Sequence, residues 1–105
     1  MKILTISTPK DAFFTLPESE RQRLTKIAVK NIINVKKKLG DRVQFYQAVG
    51  WGRTVSIGEH PNVEEYEQCI QGESPGVSYS NFETYLLAEL DEKAMKAAQA
   101  FVDSP

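Results

Sequence analysis

The chain has one cysteine and one histidine in 105 residues. A lone Cys69 excludes an intramolecular disulfide, which suits a reducing cytoplasm. One histidine and one cysteine give no metal-ligand spacing, so no metal is expected. No Ser-His-acid arrangement is visible beyond His60 itself. Neither sign of charge dominates: 13 Lys and Arg face 14 Asp and Glu, for a net charge of −1. No whole-molecule field therefore attracts nucleic acid or an anionic membrane, and neither is expected as a partner. No apolar run approaches the ~20 residues needed to span a bilayer. The start turns polar at Thr5 and Ser7, short of the apolar region of a signal peptide. There is no phosphate-binding glycine loop, internal repeat, linker or low-complexity stretch, and no cofactor is called for.

What is present fits one small domain over residues 1–105, with 41% hydrophobic and 26% charged residues. Two alternating runs, roughly 42–49 and 53–59, flank the break Gly50-Trp51-Gly52 and read as a β-hairpin. Residues 2–8 alternate and read as a first strand. A helix follows, opened by a capping box of Thr15 and Glu18, with Pro17 in its first turn. Its stripe is Leu24, Ile27, Ala28, Ile32, Val35 and Leu39, and Gly40 stops it. A second helix opens on the capping box Asn62 and Glu65, buries Val63, Tyr66 and Ile70, and stops at Gly72. A last strand lies between Val77 and Leu87. Asp91 can cap a final helix carrying Ala94, Ala98, Phe101 and Val102, which should lie along the body or a neighbouring subunit. The order is βαββαβ with an added C-terminal helix: an α+β, ferredoxin-like plan with an antiparallel sheet.

That plan leaves one sheet face uncovered. By parity, Leu4, Ile6, Val43, Phe45, Val49, Val55, Ile57, Phe82 and Leu86 should face the helices. Ile3, Thr5, Ser7, Gln44, Tyr46, Ala48, Thr54, Ser56, Asn81, Glu83 and Tyr85 should form the open face. This second set holds one charge, Glu83. Such a face suits packing on another sheet or enclosing a cavity; the alternative is a wet open face of residues with high β-propensity.

Several segments carry a family resemblance: the glycine turn before strand three, Ser56 within that strand, Pro61-Asn62-Val63-Glu64, and Tyr79-Ser80-Asn81-Phe82-Glu83. With the order and length of the elements, the chain resembles the muconolactone isomerase-like group of dimeric α/β-barrel proteins. The resemblance implies two sheets packed face to face into a barrel, as a homodimer or higher homo-oligomer. It also implies a small-molecule pocket at the barrel or its mouth. In the isomerase members the substrate is an unsaturated lactone, and a double bond moves without a metal. The sequence departs from the family at the glycine turn, where Trp51-Gly52 replaces a His-Tyr pair. The acid of the last strand is kept as Glu83.

A double-bond shift needs a base beside a carbonyl and an acid to return the proton. A carboxylate in a largely apolar cavity is suited to that work, and Glu83 is the candidate. Tyr46 and Tyr85 are placed to orient a substrate oxygen, and Thr54, Ser56 and Asn81 to add donors. Trp51 in its turn covers either a ligand pocket or a subunit contact. The competing reading of Glu83 is a salt bridge across the subunit interface, with Arg53 as partner. Two function classes follow. One is a cofactor-independent enzyme, either an isomerase or a monooxygenase of the same fold. The other is a non-catalytic ligand-binding or assembly module. The remaining singular residues read as structural: His60 as a surface or capping residue, Cys69 as a buried thiol, and Lys36, Lys37 and Lys38 as a solvated helix end.

Overall fold

The computed structural model describes residues 1–48, 52–71 and 79–105. Its elements are β1 (Lys2–Pro9), α1 (Asp11–Phe14), α2 (Glu18–Leu39), a 3-10 turn (Gly40–Arg42), β2 (Val43–Gln47), β3 (Thr54–Glu59), α3 (Val63–Gln71), β4 (Ser80–Leu87) and α4 (Glu92–Asp103). The four strands form one antiparallel sheet in the order β2-β3-β1-β4. This α+β arrangement, with β1 and β3 paired at the centre, follows the ferredoxin-like plan.

Local chemistry explains most element ends. Gly40 ends α2 at φ 58°, in the left-handed region that glycine enters without a Cβ clash. The Asn62 side chain accepts from the Glu65 amide at 2.9 Å, and that of Asp91 from the Ala94 amide at 2.8 Å. Both helix starts are capped as expected. The Thr15 box does not form. Residues 11–14 make a short helix, and the Thr15 hydroxyl donates back to the Ala12 carbonyl at 2.8 Å. Helix α2 starts instead behind Pro17, with no side-chain cap. Gly72, Val77, Val49, Gly50 and Trp51 fall outside the described residues, as does the side chain of Ile70.

Helix α3 shows which sheet face is covered. The Tyr66 hydroxyl lies 2.8 Å from Thr5 Oγ1 and 2.6 Å from Thr84 Oγ1. Helix α2 is tied to α3 by Asn31 Nδ2, which donates to the Cys69 carbonyl at 3.4 Å. The strand register then assigns the rows. On the covered face one row reads Val43, Gly58, Ile3, Leu86. The next reads Phe45, Ser56, Thr5, Thr84, and the third Gln47, Thr54, Ser7, Phe82. On the open face one row is Gln44, Ile57, Leu4, Tyr85 and the next Tyr46, Val55, Ile6, Glu83.

The expected faces therefore hold on β2 and β4 and are reversed on β1 and β3. Leu4, Ile6, Val55 and Ile57 belong to the open face; Ile3, Thr5, Ser7, Thr54 and Ser56 belong to the covered one. On β3 the covered side is sterically restricted at Gly58. A Cβ on Gly58 would lie 2.5 Å from His60 Nε2, so the covered side of β3 admits no side chain at this position. On β1, Thr5 is only 6% exposed, and Tyr66 satisfies its hydroxyl.

The core is thin. Among the described residues, the buried hydrophobic ones are Ile3, Leu24, Leu39 and Val43. The chain exposes 7873 Å², against about 5,900 Å² expected for a compact monomer of this mass. Its radius of gyration is 17.4 Å, against about 13 Å for a compact chain of this length. The extents are 60 × 30 × 21 Å, and α4 carries no buried residue.

Candidate functional site

The open sheet face is the candidate site. Its centre is aliphatic, made of Leu4, Ile6, Val55 and Ile57 on the two middle strands. Tyr46 flanks it on one edge strand, and Glu83 and Tyr85 on the other. Alternation along β4 puts Asn81, Glu83 and Tyr85 on the same side. Glu83 and Tyr85 are two residues apart, so their side chains run parallel, and the Tyr85 hydroxyl donates to Glu83 Oε2 at 2.9 Å. That hydrogen bond and the adjacent negative charge push the Tyr85 phenol above its ordinary pKa.

Of the seven residues singled out, the sheet gathers four on the open face: Tyr46, Asn81, Glu83 and Tyr85. Thr54 and Ser56 project to the covered face, because they pair with Ser7 and Thr5. Their hydroxyls do not share a surface with Glu83. Trp51 lies outside the described residues. The aliphatic members of the open face were assigned to the core by parity, so the face is less polar than expected.

A second constellation lies on the buried side. His60, expected as a surface or capping residue, is 5% exposed and so does not lie on the surface. Its Nδ1 lies 3.1 Å from Glu65 Oε1, and Arg42 donates to the same oxygen at 2.9 Å. Burial works to raise the Glu65 carboxyl. The bonds from His60 and Arg42 outweigh it, and the net shift is downward. An ionised Glu65 accepts only, so the imidazole proton sits on Nδ1. The other ring nitrogen faces Gly58, and the ring meets Tyr66 edge-on at 5.5 Å. The pair is thus packed against backbone and ring and locks the β3–α3 junction, where the His60 amide also donates to the Met1 carbonyl at 2.9 Å. The segment Glu59-His60-Pro61-Asn62 followed by Glu65 carried the signal: the Asn62 cap fixes Glu65 in the first helical turn, five residues after His60.

Cys69 is half-buried, and burial raises its thiol, as fits a structural residue. Among the described residues, no group of His, Cys, Asp and Glu could hold a metal ion. No helix among them is long and apolar enough to cross a membrane. No protein-family model matches the chain, and no curated protein matches it.

Proposed function

We propose that this chain is a homo-oligomeric small-molecule-binding protein of the dimeric α/β-barrel kind. In this reading two open faces pack together and enclose a pocket. The observation that carries it is the row Tyr46, Val55, Ile6, Glu83. It sets one carboxylate beside an aliphatic surface, Leu4, Ile6, Val55 and Ile57, that a single chain leaves only half-buried.

Within that pocket Glu83 would remove the proton beside a substrate carbonyl and return it to the shifted position. Tyr85, already donating to Glu83, would hold the carboxylate's orientation, and Tyr46 and Asn81 would position polar groups of the ligand. This is the chemistry of a cofactor-independent isomerase acting on an unsaturated lactone or a related compound. The alternative is a cofactor-independent monooxygenase of the same fold. The location that suits this reading is the cytoplasm.

The aliphatic centre of the face favours a second reading, a non-catalytic assembly module. If Leu4, Ile6, Val55 and Ile57 meet their symmetry mates directly, they fill the space between the sheets. The test is calorimetric titration with unsaturated lactones, together with their interconversion by wild type and Glu83→Gln. The isomerase reading predicts binding to both and a loss of rate of about a hundredfold or more in the variant. An oligomer that neither binds nor converts these compounds supports the assembly module instead.

A further inference from the structure

We propose that the free edge of β4 pairs with the same edge of a second copy of this chain, antiparallel and about a two-fold axis at Thr84, so that the two sheets join edge to edge. The proposal concerns the backbone of the sheet edge and stands apart from the pairing of open faces. Strand β4 ends the sheet, with β1 on one side and no strand among the described residues on the other. The Lys10 amide donates to the Tyr79 carbonyl at 2.8 Å, and these two residues continue the β1–β4 register. In an antiparallel ladder such directly bonded pairs alternate with non-bonded ones. Residues 79, 81, 83, 85 and 87 therefore turn their backbone groups to β1. Ser80, Phe82, Thr84 and Leu86 turn theirs to the free edge.

This edge is open where the opposite one is guarded. An edge strand templates pairing with another strand unless a charge, a proline or a bulge blunts it. On β2 the Ala48 amide donates to the Arg53 carbonyl at 2.9 Å. By the same alternation Val43 turns its carbonyl outward. Lys36 Nζ donates to that carbonyl at 2.7 Å, and the strand is only five residues long. Strand β4 has eight residues, Ser80–Leu87, with no proline, glycine or lysine among them. Residues 81–86 are all exposed, and Leu86 reaches 70%.

The strand's own sequence identifies the occupant and the register. A two-fold axis normal to the sheet keeps each face continuous across the new seam, so opposed residues share a face and the axis passes through a residue. With the axis at Glu83, two carboxylates stand directly opposite each other, which is repulsive. With the axis at Tyr85, each Glu83 faces the partner's Leu87. With the axis at Phe82, Leu86 has no residue of β4 opposite it. With the axis at Thr84, Glu83 faces the partner's Tyr85, Phe82 faces the partner's Leu86, and Thr84 faces the partner's Thr84. These are a carboxylate with a phenol donor, an aromatic ring with an aliphatic chain, and two hydroxyls, all favourable cross-strand pairs. Tyr85 already donates to Glu83 within one chain at 2.9 Å, and the pairing brings the partner's phenol to the same carboxylate. The outward groups of Phe82, Thr84 and Leu86 meet one another, with two hydrogen bonds at each pair.

The experiment is a cross-link between differently tagged copies of the full-length chain. Cys69 is replaced by Ser; one preparation then carries Phe82→Cys and the other Leu86→Cys. Both side chains are exposed, and circular dichroism verifies the fold. The two preparations are unfolded in urea, refolded together so that copies exchange, and oxidised. Opposed residues of a bonded antiparallel pair have Cα atoms about 5.5 Å apart, within the ~7 Å that a disulfide allows. The proposal predicts a covalent dimer bearing both tags. It predicts none from either preparation alone, because two copies of the same position are four residues out of step, about 13 Å along the strand. Both positions lie on the helix-covered side of β4, so pairing of the open faces does not join them. If either variant fails to fold, Thr84→Cys decides: it lies on the axis and should cross-link to its own copy, and no cross-link overturns the proposal. An oligomer by light scattering with no mixed dimer also overturns it and leaves the pairing of open faces standing. A covalent dimer from the Phe82→Cys or the Leu86→Cys preparation alone shows a different register and overturns it too. A monomer in every preparation overturns both.

Discussion

Replacing Tyr66 by Phe removes one oxygen and keeps the ring against His60. The hydroxyl lies between Thr5 Oγ1 at 2.8 Å and Thr84 Oγ1 at 2.6 Å, within hydrogen-bond reach of both, and its single proton serves at most one of them. It thereby pins α3 to β1 and β4 at once. The two threonines are not equivalent. Thr84 is exposed and regains a water. Thr5 is 6% exposed and regains nothing. An orphaned buried hydroxyl costs about 1–3 kcal/mol, and the bond to Thr84 contributes about 0.5–1 kcal/mol net. The expected loss is about 1.5–4 kcal/mol, a large part of the ~5–15 kcal/mol that separates folded from unfolded small domains. The assay is urea unfolding followed by far-ultraviolet circular dichroism, at one protein concentration so that any association equilibrium is held constant. The midpoint should fall with the slope unchanged, and Thr84→Val should cost less than Tyr66→Phe. A loss under about 0.5 kcal/mol would refute the view that this hydroxyl joins helix to sheet.

Gly58→Ala should destabilise by about 1–3 kcal/mol, because the new methyl must displace the packed His60 ring; an unchanged urea midpoint would contradict this. The folded-state pKa of Glu65 is depressed below its unfolded value of 4.5, so its contribution is present above that value and is lost as pH falls through the folded pKa. A series of urea midpoints below pH 5 should therefore fall less steeply for Glu65→Gln than for wild type, and parallel curves would refute the role given to the His60–Arg42–Glu65 cluster.

Element order was legible because it rests on local signals. Asn62 and Asp91 cap their helices, Gly40 ends α2, and the alternating runs on either side of residues 49–51 form β2 and β3. Thr15 misled because a short helix at 11–14 takes up its hydroxyl first. The sheet faces were legible on β2 and β4, where the more apolar parity is the covered one. On β1 and β3 the more apolar parity, Leu4, Ile6, Val55 and Ile57, lies on the open face. Alternation reveals that a strand has an apolar side; it does not say whether that side meets helices of the same chain or another surface. The covered side of those strands is polar or small for reasons that only tertiary structure supplies, namely the Tyr66 hydroxyl above Thr5 and the His60 ring against Gly58. Glu83 and Tyr85 were gathered correctly because both lie on one strand with a spacing of two. Thr54 and Ser56 were placed with them through the reversed face of β3.

The central claim is that the open face, with its aliphatic rows and Glu83, is built to be covered by a second copy of the chain. Multi-angle light scattering on the wild-type protein at micromolar concentration tests this most directly. The account predicts a mass of at least twice the 11.8 kDa of one chain. A folded species at 11.8 kDa would contradict it.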